Sequence, residues 1–98
     1  MAKTLGIGAA TRQIRAAMLG APVNGIRIHR QAWRVSEGDS DELVLLTLPD
    51  GSWWTARRLS DRLSVWAYAD EDDAWDGFDR LLSEGAPWHE AMATPLAS

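Results

Sequence analysis

Glu42-Leu43-Val44-Leu45-Leu46-Thr47-Leu48-Pro49-Asp50-Gly51-Ser52-Trp53-Trp54 decides the fold of this 98-residue chain. Ahead of Pro49, apolar side chains fall at both parities: Val44, Leu46 and Leu48 on one side, Leu43 and Leu45 on the other. Successive strand residues point to opposite faces, so a strand from Glu42 to Leu48 that is apolar on both faces is central and covered on both. Pro49 pre-sets a turn and Gly51 is free to take positive φ, which predicts a hairpin. The return strand, expected from Ser52 to about Arg57, places the adjacent Trp53 and Trp54 on opposite faces.

Downstream, Leu63 to Tyr68 reads as a further strand, with Val65 and Ala67 facing one way and Trp66 and Tyr68 the other. Asp70 is a good N-cap, with Asp73 three residues on. Ala74, Trp75, Phe78, Leu81 and Leu82 then form the stripe of an amphipathic helix, ended by Gly85 and Pro87. Gly77 is its discordant residue, costing about 1 kcal/mol relative to alanine. Trp88 to Ala93 reads as either a short edge strand or a turn of helix, and residues 94–98 as a tail.

Upstream, the apolar residues between Ile26 and Val35 switch from even positions (Ile26, Ile28) to odd ones (Trp33, Val35). A period of two cannot hold both, which predicts a bulge near Arg30 and Gln31. The polar remainder, Arg27, His29, Arg30 and Arg34, forms a basic stripe on one side of the strand. Ser36 to Asp41 reads as a turn-rich loop. A first helix is expected from about Ala9 to Leu19, with Ala10, Ile14, Ala17 and Met18 on its apolar face and Gly20 and Pro22 as the stop. Arg12 and Arg15 share a different face, and residues 1–8 are an irregular lead. The expected fold class is α+β: a single domain over residues 1–98, in which a three- or four-stranded antiparallel meander carries an N-terminal helix and a C-terminal amphipathic helix packed on it.

Composition fits one folded domain, because 46% hydrophobic and 24% charged residues leave enough apolar surface to offset chain entropy. The absence of cysteine excludes disulfides, thiolate nucleophiles and sulfur-ligated zinc. No apolar run approaches the roughly 20 residues of a membrane span, so a cytoplasmic protein with no membrane partner is expected. An organellar transit peptide is the alternative for an acid-free N-terminus, but the basic bias continues to Arg34, past the first helix. Nine arginines against one lysine, with fifteen alanines, match the codon usage of a high-G+C genome, bacterial or phage.

Charge is divided along the chain. The first 36 residues carry six basic groups, Lys3, Arg12, Arg15, Arg27, Arg30 and Arg34, and no acid; the remaining 62 carry fourteen acids against four arginines. A net charge of −4 therefore joins a +6 segment to a −10 segment.

Known catalytic patterns fail. Gly6-Ile7-Gly8 lacks the third glycine, preceding strand and distal acid of a dinucleotide fingerprint. His89-Glu90-Ala91-Met92-Ala93 has Ala93 where a zinc-protease helix needs its second histidine. Asp70 to Asp73 lacks the alternate ligands of a calcium loop and instead complements the helix dipole. His29 and His89 lie in different regions without an evident partner. No catalytic residue, cofactor or metal is expected, and the protein is read as non-enzymatic.

Six tryptophans make core packing and interface anchoring the two uses to weigh. Trp54, Trp66 and Trp75 read as core; Trp88 and one of the Trp53 and Trp54 pair are the anchor candidates. The leading function is a small protein-interaction module whose acidic helix face, Glu71, Asp72, Asp76 and Asp79, engages a protein partner with a basic surface, Trp53 and Trp88 serving as anchors. In size and charge the chain resembles small acidic inhibitors encoded by phages, including anti-CRISPR proteins that occupy nucleic-acid-binding surfaces, which implies an inhibitor of a basic host protein. One alternative is nucleic-acid binding through Arg12, Arg15, Arg27, His29, Arg30 and Arg34. A second is a homo-oligomer, such as a homodimer, with complementary charged surfaces. Neutralisation of the basic third by the acidic part within one fold competes with all three.

Overall fold

The computed structural model describes residues 7–19, 25–36, 38–84 and 88–92. Helix α1 (Ile7–Met18) precedes strands β1 (Arg27–Ser36), β2 (Asp39–Thr47), β3 (Trp53–Leu59) and β4 (Arg62–Tyr68); helix α2 (Glu71–Leu82) and strand β5 (His89–Met92) follow. β1 to β4 form an antiparallel meander, and β5 pairs antiparallel with β1 at the far edge, giving the order β4-β3-β2-β1-β5. The fold is α+β, with β2, the strand apolar on both faces, at the centre of the sheet. Of the two readings for the segment from Trp88, the edge strand is the one formed.

Local chemistry explains the boundaries that differ from expectation. Ile7 and Gly8 open α1 instead of belonging to an irregular lead. β2 begins at Asp39 rather than Glu42, so the turn after β1 is shorter than a loop to Asp41. Asp41 is drawn into the ladder between Arg34 of β1 and Leu59 of β3. β3 runs on to Leu59 because Ser60 takes φ 57° and closes a two-residue turn with Asp61 onto Arg62. Residues 1–6, 93–98 and the helix-stopping Gly20, Pro22, Gly85 and Pro87 lie outside the described residues.

The hairpin between β2 and β3 forms as its sequence dictates. Gly51 takes φ 84°, its N–H donates to the Leu48 carbonyl at 2.9 Å, and Asp50 Oδ1 accepts the Ser52 N–H at 2.9 Å. The bulge in β1 falls between Ile28 and Arg30, leaving His29 as the extra residue. One face of the sheet holds Val44, Leu46, Leu48, Trp54 and Ala56, closed by Ala10 and Ile14 of α1. The other holds Ala32, Leu43 and Leu45 under Ala74 and Phe78 of α2. Trp53 and Trp54 divide between the two faces, as adjacent strand residues must.

Asp70 caps α2 in extended conformation, accepting the Asp73 N–H at 2.9 Å. Gly77 has a packing reason. A Cβ there would fall inside the van der Waals envelope of the Tyr68 ring and hydroxyl, so the glycine lets α2 settle onto β4. Tyr68 Oη meets Thr55 Oγ1 at 2.9 Å beneath the helix.

Candidate functional site

The acids of α2 occupy more than one side of the helix. Its buried line of Ala74, Gly77 and Phe78 turns the opposite surface outward, so Glu71, Asp72, Asp73, Asp76, Asp79 and Glu84 are all exposed. At 100° per residue, Glu71 and Asp79 lean towards β1, Asp72 points away from the sheet, and Asp73 and Asp76 lean towards β4, where Glu84, just past the helix end, joins them. α2 runs along the strands, with Glu71 near His29 at one end and the Glu84 carbonyl accepting from Arg34 Nη1 at 3.2 Å at the other.

On the β1 side, acid meets base within the fold. The bulge turns both His29 and Arg30 onto the α2 face, so Arg27, His29, Arg30 and Arg34 form the expected basic stripe, but Arg30 is buried beneath α2 and Arg27 alone of its arginines stays exposed. Arg30 is 9% exposed, its guanidinium 4.5 Å from the Phe78 ring centroid and 5.0 Å from that of Trp75, and its Nη1 donates to Asp79 Oδ1 at 2.7 Å. Asp41, 1% exposed, accepts from Arg34 Nε at 2.9 Å and from Arg57 Nε and Nη2 at 3.0 and 2.9 Å. Burial pushes its carboxyl up, but hydrogen bonds and charge from Arg57 and Arg34 outweigh that and hold it below the usual carboxylate range. His29 stacks on Trp53 with centroids 4.7 Å apart and shares a 3.1 Å hydrogen bond with Thr47 Oγ1. Burial lowers its pKa; Glu71 raises it and Arg27 lowers it by smaller amounts.

The residues of the nucleic-acid alternative therefore do not share a surface. Arg12 and Arg15 are exposed on α1, on one side of the sheet, whereas Arg30 is enclosed and Arg34 is bonded to buried Asp41 on the other. Only Arg27 among the arginines of β1 is exposed.

On the β4 side the acids meet a groove instead. It measures about 600 Å³, with β4 as its floor, through Trp66, Tyr68 and the intervening backbone, and the Asp73, Asp76, Arg80 and Glu84 side of α2 as its wall. Arg57 closes the end nearest Glu84. Trp66 is 38% exposed there, against its assignment to the core. It shares the α2 face with Trp75, as expected, but α2 packs on β2, β3 and the Tyr68 end of β4 and leaves Trp66 partly uncovered. Trp53 and Trp88 are both half-buried, Trp53 against His29 and Trp88 under the Arg34 guanidinium 4.0 Å from its ring centroid.

Asp73, Glu84 and Trp66 thus belong to the site beside Asp72 and Asp76. Asp73 was hidden by its capping position, and Trp66 by an apolar character that suits either a core or a groove. Helical angle alone could have joined Asp73 and Asp76 on one side.

The other exposed tryptophan, Trp33 at 45%, lies on the α1 face beyond the reach of α1, with the His89 ring 6.2 Å from it. Among the described residues no three His, Asp or Glu side chains converge as a metal site would require, and no helix is long and apolar enough to cross a membrane. No family model, curated protein or solved structure matches this chain.

Proposed function

We propose that this protein is a non-enzymatic binding module that captures a protein partner through a basic surface, using the outward and β4-facing acids of α2 with Trp66 as the apolar anchor. The observation that carries this reading is the asymmetry of α2: Asp79 is engaged by Arg30, while Asp72, Asp73, Asp76 and Glu84 face outward beside an exposed tryptophan. An excess of acids around an aromatic anchor, with Arg57 of the same groove already held by Asp41, provides both steering and a desolvated contact. The two histidines stand on opposite faces of the sheet, His29 against Trp53 and His89 against Trp33, which suits binding better than general acid–base work.

The test is affinity purification followed by titration of the purified partner. Reversing Asp72 and Asp76 to lysine is expected to weaken binding at least about tenfold and to flatten its salt dependence. Trp66→Ala is expected to weaken it by about 2 kcal/mol or more. A partner held equally well by the charge-reversed variant would remove this reading.

A further inference from the structure

We infer that the outer edge of β4 and the adjoining groove form a strand-addition site for an extended, arginine- or lysine-bearing segment of the partner; this rests on the acidic-groove reading above. β4 is the terminal strand of the sheet, paired on one side with β3 over its whole length from Arg62 to Tyr68. Among the described residues no strand pairs with its other edge, and α1 meets β4 from the opposite face of the sheet to α2. Its seven residues contain no proline, its ladder to β3 runs without a bulge, and its one charge, Arg62, lies at the end away from the groove, so the groove half of the edge is not blunted by these devices. The opposite edge, β5, is only four residues long.

The groove explains why a basic segment is the occupant. A strand added to β4 at about 4.8 Å would send alternate side chains to the α2 side, beside Trp66 and opposite the helix wall. That wall presents Asp73 and Asp76 in the first half of α2 and Glu84 just past its C-terminal end, against Arg80 alone. Arg57, at the groove's end, already has Asp41. Two or three arginines at alternate positions of an extended segment complement those acids, and their guanidiniums can also lie on the Trp66 ring. A second copy of the chain fits poorly, because pairing β4 with β4 antiparallel brings two acidic α2 walls to the same side of one continuous sheet.

The experiment uses the whole protein, isotopically labelled, titrated by NMR with an acetylated octapeptide alternating arginine and valine. Two further peptides carry backbone N-methyl groups, one on the arginine amides and the other on the valine amides. A paired strand offers one edge to β4, so only one methylated set removes the bonding amides. The expected result is binding of the parent peptide with shifts at Trp66, Tyr68, Asp73 and Asp76, and affinities of the two methylated peptides that differ by about tenfold or more. Glutamate in place of arginine abolishes binding.

Equal affinity of the two methylated peptides, with binding still lost on reversing Asp76, would overturn strand addition while leaving the acidic-groove reading intact. No shift with any basic peptide at low salt would overturn both. Sedimentation showing a dimer whose interface shifts fall on β4 would overturn it in favour of a second copy.

Discussion

The two faces of the sheet are stabilised by different physics. Under α1 the core is hydrocarbon: Ile14 and Ala10 close over Val44, Leu46, Leu48, Trp54 and Ala56. Under α2 the same strands bury charge, with Arg30 between Phe78 and Trp75 and Asp41 chelated by Arg34 and Arg57. The hydrocarbon core under α1 gains by removing area from water, a contribution that itself carries no pH dependence. The charged face pays desolvation and recovers it through paired, hydrogen-bonded geometry, so it resists removal of either partner far more than its net contribution implies. The division of charge along the chain is thus cancelled in part within the fold, through Arg30 with Asp79 and Arg34 with Asp41, and the acids that face β4 are among what it leaves over.

The largest expected effect sharpens that contrast. Asp41→Ala leaves two half-enclosed guanidiniums without their carboxylate and should destabilise the fold by about 3–5 kcal/mol in urea denaturation. Ile14→Ala on the opposite face should cost a similar amount, about 2–5 kcal/mol, through cavity formation. Acid separates them. Asp41 has a folded pKa below its unfolded one, so its stabilisation is complete above about pH 4 and is lost as pH falls through the depressed value. The Asp41→Ala variant should lose that part of the acid slope, and Ile14→Ala should keep it. Equal slopes in the two variants would break the distinction.

A smaller effect tests how tightly α2 is seated. Gly77→Ala improves helix propensity by about 1 kcal/mol, yet its Cβ meets the Tyr68 ring, so a net loss of about 1–3 kcal/mol is expected. Tyr68→Ala should relieve the clash, making the two substitutions strongly non-additive in a double-mutant cycle. Additivity would mean that α2 does not depend on that contact.

The smallest effect is expected at His29. Its folded pKa lies below the unfolded value near 6.5, so the unfolded chain binds the proton more readily, and stability is lost as pH falls from about 6.5 through the folded value. Thermal unfolding between pH 7 and 5.5 should show a small decline in stability. His29→Phe, which keeps a ring on Trp53, should flatten it.

Much of the fold was legible along the chain because its signals are local. Parity in Leu43 to Leu48 identifies a central strand, Pro49-Asp50-Gly51 its hairpin, and the switch from Ile28 to Trp33 a bulge, placed one residue from where it occurs. The site was legible only in part. Asp72 and Asp76 follow from helical spacing, whereas the engagement of Asp79 by Arg30 joins residues 49 positions apart. Trp66 illustrates the limit: its strand and its face were correctly read, but its exposure depends on how far α2 extends across the sheet.

The sequence by itself determined both helices, the four-strand meander and its order, and the faces of its central strands, since turn chemistry and periodicity act over a few residues; it left the segment from Trp88 open between strand and helix. The tertiary structure alone decided which charges cancel and which remain, because that depends on the line along which α2 crosses the sheet. Gly77 against Tyr68 and Arg30 beneath Phe78 set that line, and it leaves Trp66 and the Asp73, Asp76 and Glu84 side of the helix to the solvent.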